Sequence, residues 1–227
     1  MKKIVVLTGA GISAESGLKT FRDAGGLWEG HDIMEVASPI GWKKNKELVL
    51  DFYNKRRKQL QKVKPNDAHK KLVTLEKYFD VQIITQNVDD LHERAGSTNV
   101  VHLHGELLKV RSTINPNLIY SWKKDLNIGD VCEENNQLRP HIVWFGEEVP
   151  LLNKAIEIVK TADVLIIIGT SMQVYPASSL IYYTKTSIPI YFINPIESYQ
   201  KTENLNIIEI TKKATLGVPK VVNQLIE

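Results

Sequence analysis

Cysteine is nearly absent from this sequence: Cys132 is the only one in 227 residues. No intramolecular disulfide can form, and a zinc site of the four-cysteine type is excluded. That usage fits a reducing compartment, and the expected location is cytoplasmic. Long apolar runs are missing too. No segment reaches the ~20 consecutive apolar residues of a membrane span, and the first apolar run, Ile4 to Leu7, is short and leads into glycines, unlike a signal peptide. An excess of one charge is also lacking: 29 basic and 26 acidic residues leave a net charge of +3, too small to imply a nucleic-acid partner without a local cluster. What remains, 43% hydrophobic and 24% charged residues, is the ordinary mixture of a globular chain long enough to bury a substantial core.

Short β-branched runs stand apart from longer helical patterns. Strands are expected at Ile4 to Leu7, Val81 to Ile84, Val100 to Leu103, Val164 to Ile168 and Ile190 to Ile193. Near-continuous apolar runs suit strands covered on both faces. Helices are expected at Pro65 to Tyr78, Asn153 to Thr161 and Pro219 to Ile226, so the fold class is α/β, a Rossmann-like parallel sheet with helices on both faces. Two stretches break the alternation: Ser38 to Lys64 reads as helix where a second strand is due, and Lys109 to Arg139 is polar and loop-rich. They are expected to form a smaller module from two insertions, residues 31–64 and 109–139, beside a larger part made of 1–30, 65–108 and 140–227.

Gly9-Ala10-Gly11-Ile12-Ser13-Ala14 follows an apolar strand and opens a helix, the setting a GxGxxA dinucleotide fingerprint requires. Glycine lets backbone approach a pyrophosphate, and a helix amino terminus offers amide donors. A dehydrogenase would next show a strand ending in an acidic residue to hold the ribose. Here Lys19 to Gly26 reads as a loop, and Glu29 and Asp32 end no apolar strand, so hydride transfer loses ground. Gln86, Asn87 and Asp89 follow a strand and fall where parallel sheets bind ligands, although Asn and Asp equally favour capped turns. His102 and His104, two apart, share a face if extended; the pair reads as half-buried hydrogen-bonded histidines or as metal ligands. Arg56 falls in the apolar stripe Val49, Phe52, Tyr53, Leu60, Val63 of a helix and is expected to point inward, toward an anion or a carboxylate. Its neighbours Lys55, Arg57 and Lys58 are expected on a solvated face.

Five ordered blocks together resemble the sirtuin family of NAD-dependent protein deacylases: Gly9 to Ser13 with Ser16-Gly17 and Thr20-Phe21-Arg22; Thr85-Gln86-Asn87-Val88-Asp89; His102-Leu103-His104-Gly105; Val143-Trp144-Phe145-Gly146-Glu147; and Gly169-Thr170-Ser171 with Val174 to Ala177. The resemblance implies that NAD is consumed as co-substrate and held by Gly9, Ala10, Gly11, Ser13, Phe21, Arg22, Gln86, Asn87, Asp89, Gly169, Thr170, Ser171, Asn194 and, near the adenine, Ala214. It implies that His104 is the general base, that Asn87 positions the ribose and a water, and that Asp89 recognises the carboxamide. Phe145, Gly146 and Glu147 match the extended segment that pairs with the substrate peptide.

Tyr53-Asn54-Lys55-Arg56 further matches the Tyr-x-x-Arg pair of the sirtuins that remove acidic acyl groups, where both side chains bind the acyl carboxylate. Desuccinylase and demalonylase activity is therefore expected beside deacetylation, on acyl-lysine proteins or peptides, with nicotinamide, 2′-O-acyl-ADP-ribose and free lysine as products. Ser112 stands where the first zinc cysteine of the family is expected, so no metal is predicted; packing of Ile114, Leu118, Tyr120 and Trp122 is expected to stabilise the small module instead. Two rivals keep the same nucleotide site: ADP-ribosyl transfer to protein, and a nucleotide-binding module without turnover.

Overall fold

The computed structural model describes residues 1–19, 27–28, 30–196 and 204–227. Strand β1 (Lys3–Thr8) and the short helix α1 (Gly11–Ala14) come first. A ribbon of β2 (Leu27–Trp28) and β3 (His31–Asp32) leads into α2 (Ile33–Val36), α3 (Pro39–Lys44) and the long α4 (Lys46–Lys62). The chain continues through α5 (Asp67–Leu75), β4 (Asp80–Thr85), α6 (Leu91–Ala95), β5 (Val100–His102), β6 (Gly105–Ser112), β7 (Ile119–Ser121) and β8 (Leu138–Ile142). It ends with α7 (Leu152–Lys160), β9 (Val164–Ile168), a 3-10 segment (Ala177–Tyr183), β10 (Ile190–Asn194), β11 (Ile207–Thr211) and α8 (Ala214–Ile226).

Six strands form one sheet in the order β11-β10-β9-β1-β4-β5, with every neighbouring pair parallel. Side-chain parity explains why its strands are apolar without alternation. Ile4, Val6, Ile83, Ile166 and Ile168 point to one face, under α5 and α8. Val5, Leu7, Ile84, Leu165 and Ile167 point to the other, under α7 and the 3-10 segment. Strands β1, β4, β9 and β10 thus each fill two cores. The expected Rossmann-like α/β class is what the chain adopts.

The element boundaries show where local signals were incomplete. Asn45 divides the helix expected over Ser38 to Lys64, because its side chain accepts the Leu48 N–H at 3.0 Å and caps α4. The last helix begins at Ala214 rather than Pro219. Pro219 lies inside it and removes one ladder bond, but burial of Ala214, Gly217, Val218, Val221 and Val222 against the sheet holds that turn. Strand β11 was not expected.

Lys109 to Arg139 is less loop-like than its polarity suggests. Strand β6 starts already at Gly105 and pairs antiparallel with β7 and β8. The resulting three-stranded sheet closes over a small core of Leu50, Val110, Leu126, Cys132 and Leu138, with Trp42, Leu118, Tyr120 and Trp122 packed at its edge. Ile114, expected in that core, is 72% exposed; the turn after β6 carries it outward, where Ser112 Oγ accepts the N–H groups of Ile114 and Asn115.

Polar side chains of α4 attach this sheet to the helix. The Asn54 amide bonds Leu126 twice, Nδ2 to its carbonyl at 3.0 Å and Oδ1 from its N–H at 2.9 Å. Arg57, expected on a solvated face, is only 1% exposed and donates to Asn54 Oδ1 and to the Leu107 carbonyl. Among the described residues no group of three or more His, Cys, Asp and Glu could hold a metal ion. We therefore expect Asn54→Ala to destabilise the protein by about 1–3 kcal/mol, the cost of leaving buried amide groups unpaired, and EDTA to leave the thermal midpoint unchanged. Denaturant titration and a melting curve with chelator check both; a midpoint lowered by EDTA would point to a structural metal.

Candidate active site

The sheet reverses its order of growth at β1, which lies between β4 and β9, and a crevice opens there at the strands' carboxyl ends. The turns after β1 and β9 meet backbone to backbone. Gly9 N–H donates to the Ile168 carbonyl at 3.0 Å, and Gly11 N–H to the Gly169 carbonyl at 2.8 Å. A Cβ on Gly11 would lie 2.6 Å from Gly169 Cα, and one on Gly169, whose φ is +61°, would lie 2.4 Å from Ile12 N. Glycine is thus required by the meeting of two turns. Thr170 is buried beside them and accepts from Gln86 Nε2 at 3.2 Å. Ala10 and Ser171 sit half-buried on the same two turns.

Asn87 is held from several sides. Its N–H donates to Thr85 Oγ1 at 3.0 Å, its carbonyl lies 3.0 Å from His102 Nδ1, and its Nδ2 donates to the Gly9 carbonyl and to Ser13 Oγ. Only Oδ1 has no hydrogen-bond partner among the described residues. Ser13 Oγ in turn donates to Asp89 Oδ2 at 3.0 Å, and Leu91 N–H caps Asp89 Oδ1. Burial pushes the Asp89 carboxyl above its usual range, and these two donors offset only part of the shift. Gln86, Asn87, Ser13 and Asp89 therefore form one hydrogen-bonded group with the glycine turns.

The two histidines of the HxH pair differ in their partners. His104 Nδ1 lies 3.0 Å from the Gln86 carbonyl. A carbonyl only accepts, so Nδ1 carries the proton and Nε2 keeps its lone pair. Burial holds this imidazole below its ordinary pKa, against a smaller upward pull from that carbonyl, and keeps it neutral. His102 faces an acceptor on each side, the Asn87 carbonyl and Glu93 Oε1 at 2.7 Å. Burial alone would lower its pKa; the Glu93 carboxylate and the carbonyl reverse the sign and raise it. One imidazole keeps Nε2 free of a proton; the other is held between two acceptors beside Asn87.

Further expected residues are spread more widely. Asn194 ends β10 and donates Nδ2 to the Ile196 carbonyl at 2.9 Å. Ala214 starts α8 with its methyl group in the core beneath the sheet. Thr20, Phe21 and Arg22 lie outside the described residues. Phe145-Gly146-Glu147 forms a turn, with Gly146 at φ +90°, where an extended segment was expected. The Glu147 carboxylate faces inward: it accepts from both terminal nitrogens of Arg139 at 2.6 and 3.1 Å, from Arg111 at 3.2 Å and from the Trp144 N–H at 2.8 Å. The Phe145 ring points outward and is 40% exposed.

Tyr53 is fully buried, and its hydroxyl oxygen accepts the Trp144 indole N–H at 3.0 Å. Arg56, one turn on, places its guanidinium 4.4 Å above the Trp28 ring. It borders a cavity of about 290 Å³ lined by Lys19, His31, Phe52, Lys55, Arg56 and Gln59.

Comparison with known proteins gives this arrangement a class. The profile described as the Sir2 family matches residues 9–176. A Helicobacter pylori NAD-dependent protein deacylase is 61% identical over 227 residues, covering 100% of this chain and 97% of its own, and one from Bacteroides thetaiotaomicron is 50% identical over 232 residues, covering 100% and 99%. A solved Sir2 homologue in complex with NAD superposes with a TM-score of 0.88 at 40% identity, covering 99% of this chain and 90% of that one. The chain belongs to the Sir2 family. It is an NAD-dependent protein deacylase, and NAD is its co-substrate.

The floor of the crevice contains two histidines that the sequence reading passed over. His92 Nε2 lies 3.1 Å from Thr8 Oγ1, which donates to Thr85 Oγ1, the acceptor of the Asn87 N–H. The His69 ring packs against His92 with centroids 5.0 Å apart. Burial pushes His69 down to about 4, and His92 well below its ordinary value. Both are neutral when folded. The unfolded chain takes up protons near pH 6.5 that the folded state refuses, so their contribution is complete above that pH and is lost as pH falls toward about 4. His69→Gln should therefore lose less stability than the wild type between pH 6.5 and 4.5 in urea titrations; identical losses would contradict a neutral, buried His69.

Proposed function

We propose that this deacylase removes acidic acyl groups, succinyl and malonyl, from protein lysines, with acetyl as a further substrate. The observation that carries the reading is the placement of Arg56 on the Trp28 ring at the edge of a cavity that Lys19, His31 and Lys55 also line. A carboxylate at the end of an acyl chain meets cations there, and a guanidinium can bind it with two parallel bonds. Tyr53, on the same helix, supplies a hydroxyl. Products would be nicotinamide, 2′-O-acyl-ADP-ribose and the free lysine.

In this reading Asn87 Oδ1 and Asp89 hold the ribose and carboxamide ends of the co-substrate, with Gly9, Ala10, Gly11, Ser13, Gln86, Gly169, Thr170, Ser171 and Asn194 around it and Ala214 toward the adenine. Phe21 and Arg22 would be further contacts of the co-substrate. His104 acts as general base through Nε2, whose lone pair is set by the Nδ1 bond to Gln86. The acyl-lysine segment lies along the backbone of Phe145, Gly146 and Glu147. Residues 31–64 and 109–139 would act as the smaller, substrate-facing module. A nucleic-acid partner is disfavoured because the basic run on α4 has one cation, Arg57, turned into the core. Among the described residues no helix is long and apolar enough to cross a membrane, and with its single cysteine the chain suits the cytoplasm.

The test is a panel of acetyl-, succinyl-, malonyl- and glutaryl-lysine peptides with NAD, read by mass spectrometry. The wild type should prefer an acidic acyl group, and Arg56→Met should lose at least roughly tenfold in kcat/KM on acidic substrates, as expected for removal of a charge-assisted bidentate pair, while keeping acetyl turnover. His104→Tyr should lose activity on every peptide. An unchanged preference in Arg56→Met would remove the pocket, and ADP-ribose retained on the peptide would favour transfer to protein.

A further inference from the structure

Trp144 is among the largest fully buried side chains of the protein, yet it lies outside both the nucleotide crevice and the cationic cavity. Its surroundings are unusually constrained. The Arg139 guanidinium stacks 3.3 Å from the centroid of its ring, and Trp42 packs at 5.7 Å. Its backbone N–H is fixed by Glu147, which also receives Arg139 and Arg111. The indole therefore has one position, and its N–H points at Tyr53 Oη, 3.0 Å away.

An indole nitrogen donates and never accepts. The Tyr53 oxygen must be the acceptor in this bond, so its own hydrogen cannot lie along it. Among the described residues no other group accepts that hydrogen. Tyr53 stands edge-on to Phe52 and to Trp28, with centroids at 5.1 and 6.4 Å, and Trp28 is the ring on which Arg56 rests. Burial raises the phenol above its ordinary pKa, and the Trp144 bond and the nearby Arg56 and Arg139 charges offset only part of that, so the hydroxyl keeps its proton.

We propose that Trp144 is a positioning residue for acyl selectivity: its donor-only N–H occupies the Tyr53 oxygen and commits the Tyr53 hydroxyl to donating toward the carboxylate of an acidic acyl group. This rests on the acidic-acyl reading, in which Tyr53, behind Phe52 and one turn before Arg56, is uncovered to the carboxylate when the acyl chain enters the cavity. The bond acts in two ways. It removes the hydroxyl orientations in which Tyr53 would present its lone pairs to an incoming carboxylate, and it polarises the hydroxyl into a stronger donor, as chains of hydrogen bonds do. An acetyl group has no carboxylate and gains nothing from either effect. Selectivity for acidic acyl groups thus depends in part on a residue that never touches the acyl chain.

The experiment compares wild type, Trp144→Phe, Tyr53→Phe and the double variant on succinyl- and acetyl-lysine peptides, with kcat and KM measured separately. Phenylalanine keeps one buried ring and deletes the donor N–H together with the second ring, a loss of packing that should act on both peptides alike. Trp144→Phe should lower the succinyl-to-acetyl ratio of kcat/KM by roughly three- to tenfold, the scale of one hydrogen bond, chiefly through the KM for the succinyl peptide. The double variant should have the same ratio as Tyr53→Phe alone, since both changes break one chain. The proposal is overturned if the two effects multiply, or if Trp144→Phe lowers turnover of both peptides alike with the ratio unchanged, as a merely structural role would. A Tyr53→Phe variant with unaltered selectivity would instead sink the acidic-acyl reading itself. If Trp144→Phe does not fold, benzothienylalanine at position 144, in which sulfur replaces the N–H and both rings are kept, gives the same comparison.

Discussion

Backbone touches backbone where the turn after β1 meets the turn after β9, and the rest of the site is arranged around that contact. Gly9, Gly11 and Gly169 let the first turn donate two hydrogen bonds to the carbonyls of Ile168 and Gly169 at an approach no Cβ would permit. Because β1 and β9 are neighbours whose connections leave in opposite directions, their turns open a crevice rather than a closed edge. Asn87 then reads the position of this contact directly, since its amide donates to the Gly9 carbonyl. Thr85, Thr8 and His92 support Asn87 from below, and the charged His102–Glu93 pair supports it from the side. A shift at the glycine contact would reach every one of these groups.

A second set of bonds ties α4, which borders the Arg56 cavity, to the small antiparallel sheet. Glu147 gathers Arg139 from β8, Arg111 from β6 and the Trp144 backbone, and Trp144 reaches Tyr53 on α4. Asn54 and Arg57 fasten the opposite side of α4 to Leu126 and Leu107. The half-buried ion pairs are worth less in net stability than their geometry suggests, because desolvating charges is costly. Their effect is to fix the orientation of Trp144, and through it of the Tyr53 ring on α4.

Much of this could be read from the residues in order. Runs such as Val164 to Ile168 announced a sheet covered on both faces because parity alternates between two cores rather than between core and solvent. Strand β11 escaped because Glu209 interrupts its apolar residues, a pattern that an edge strand tolerates and a central one does not. The helix α4 was half legible. Its stripe through Val49, Phe52, Tyr53 and Leu60 faces the core with Trp144, but a second stripe, Leu50, Asn54 and Arg57, faces the small sheet. Two of those three residues are polar, so hydrophobic periodicity assigned Arg57 to solvent. Pairing partners decide burial there, and partners distant in sequence leave no local signal. The inward turn of Glu147 was hidden for the same reason.

The bidentate bond of Asn54 to Leu126 has a consequence of a different kind. A module clipped together by cysteine thiolates and an ion can be taken apart by whatever competes for the ion or oxidises the sulfur. An amide gripping a backbone offers neither handle, and the one thiol in the small core, Cys132, is buried among aliphatic and aromatic side chains. The grip of α4 on this sheet through Asn54 is therefore made with neither an ion nor a thiol, and it answers to the solvent and temperature that loosen any amide hydrogen bond.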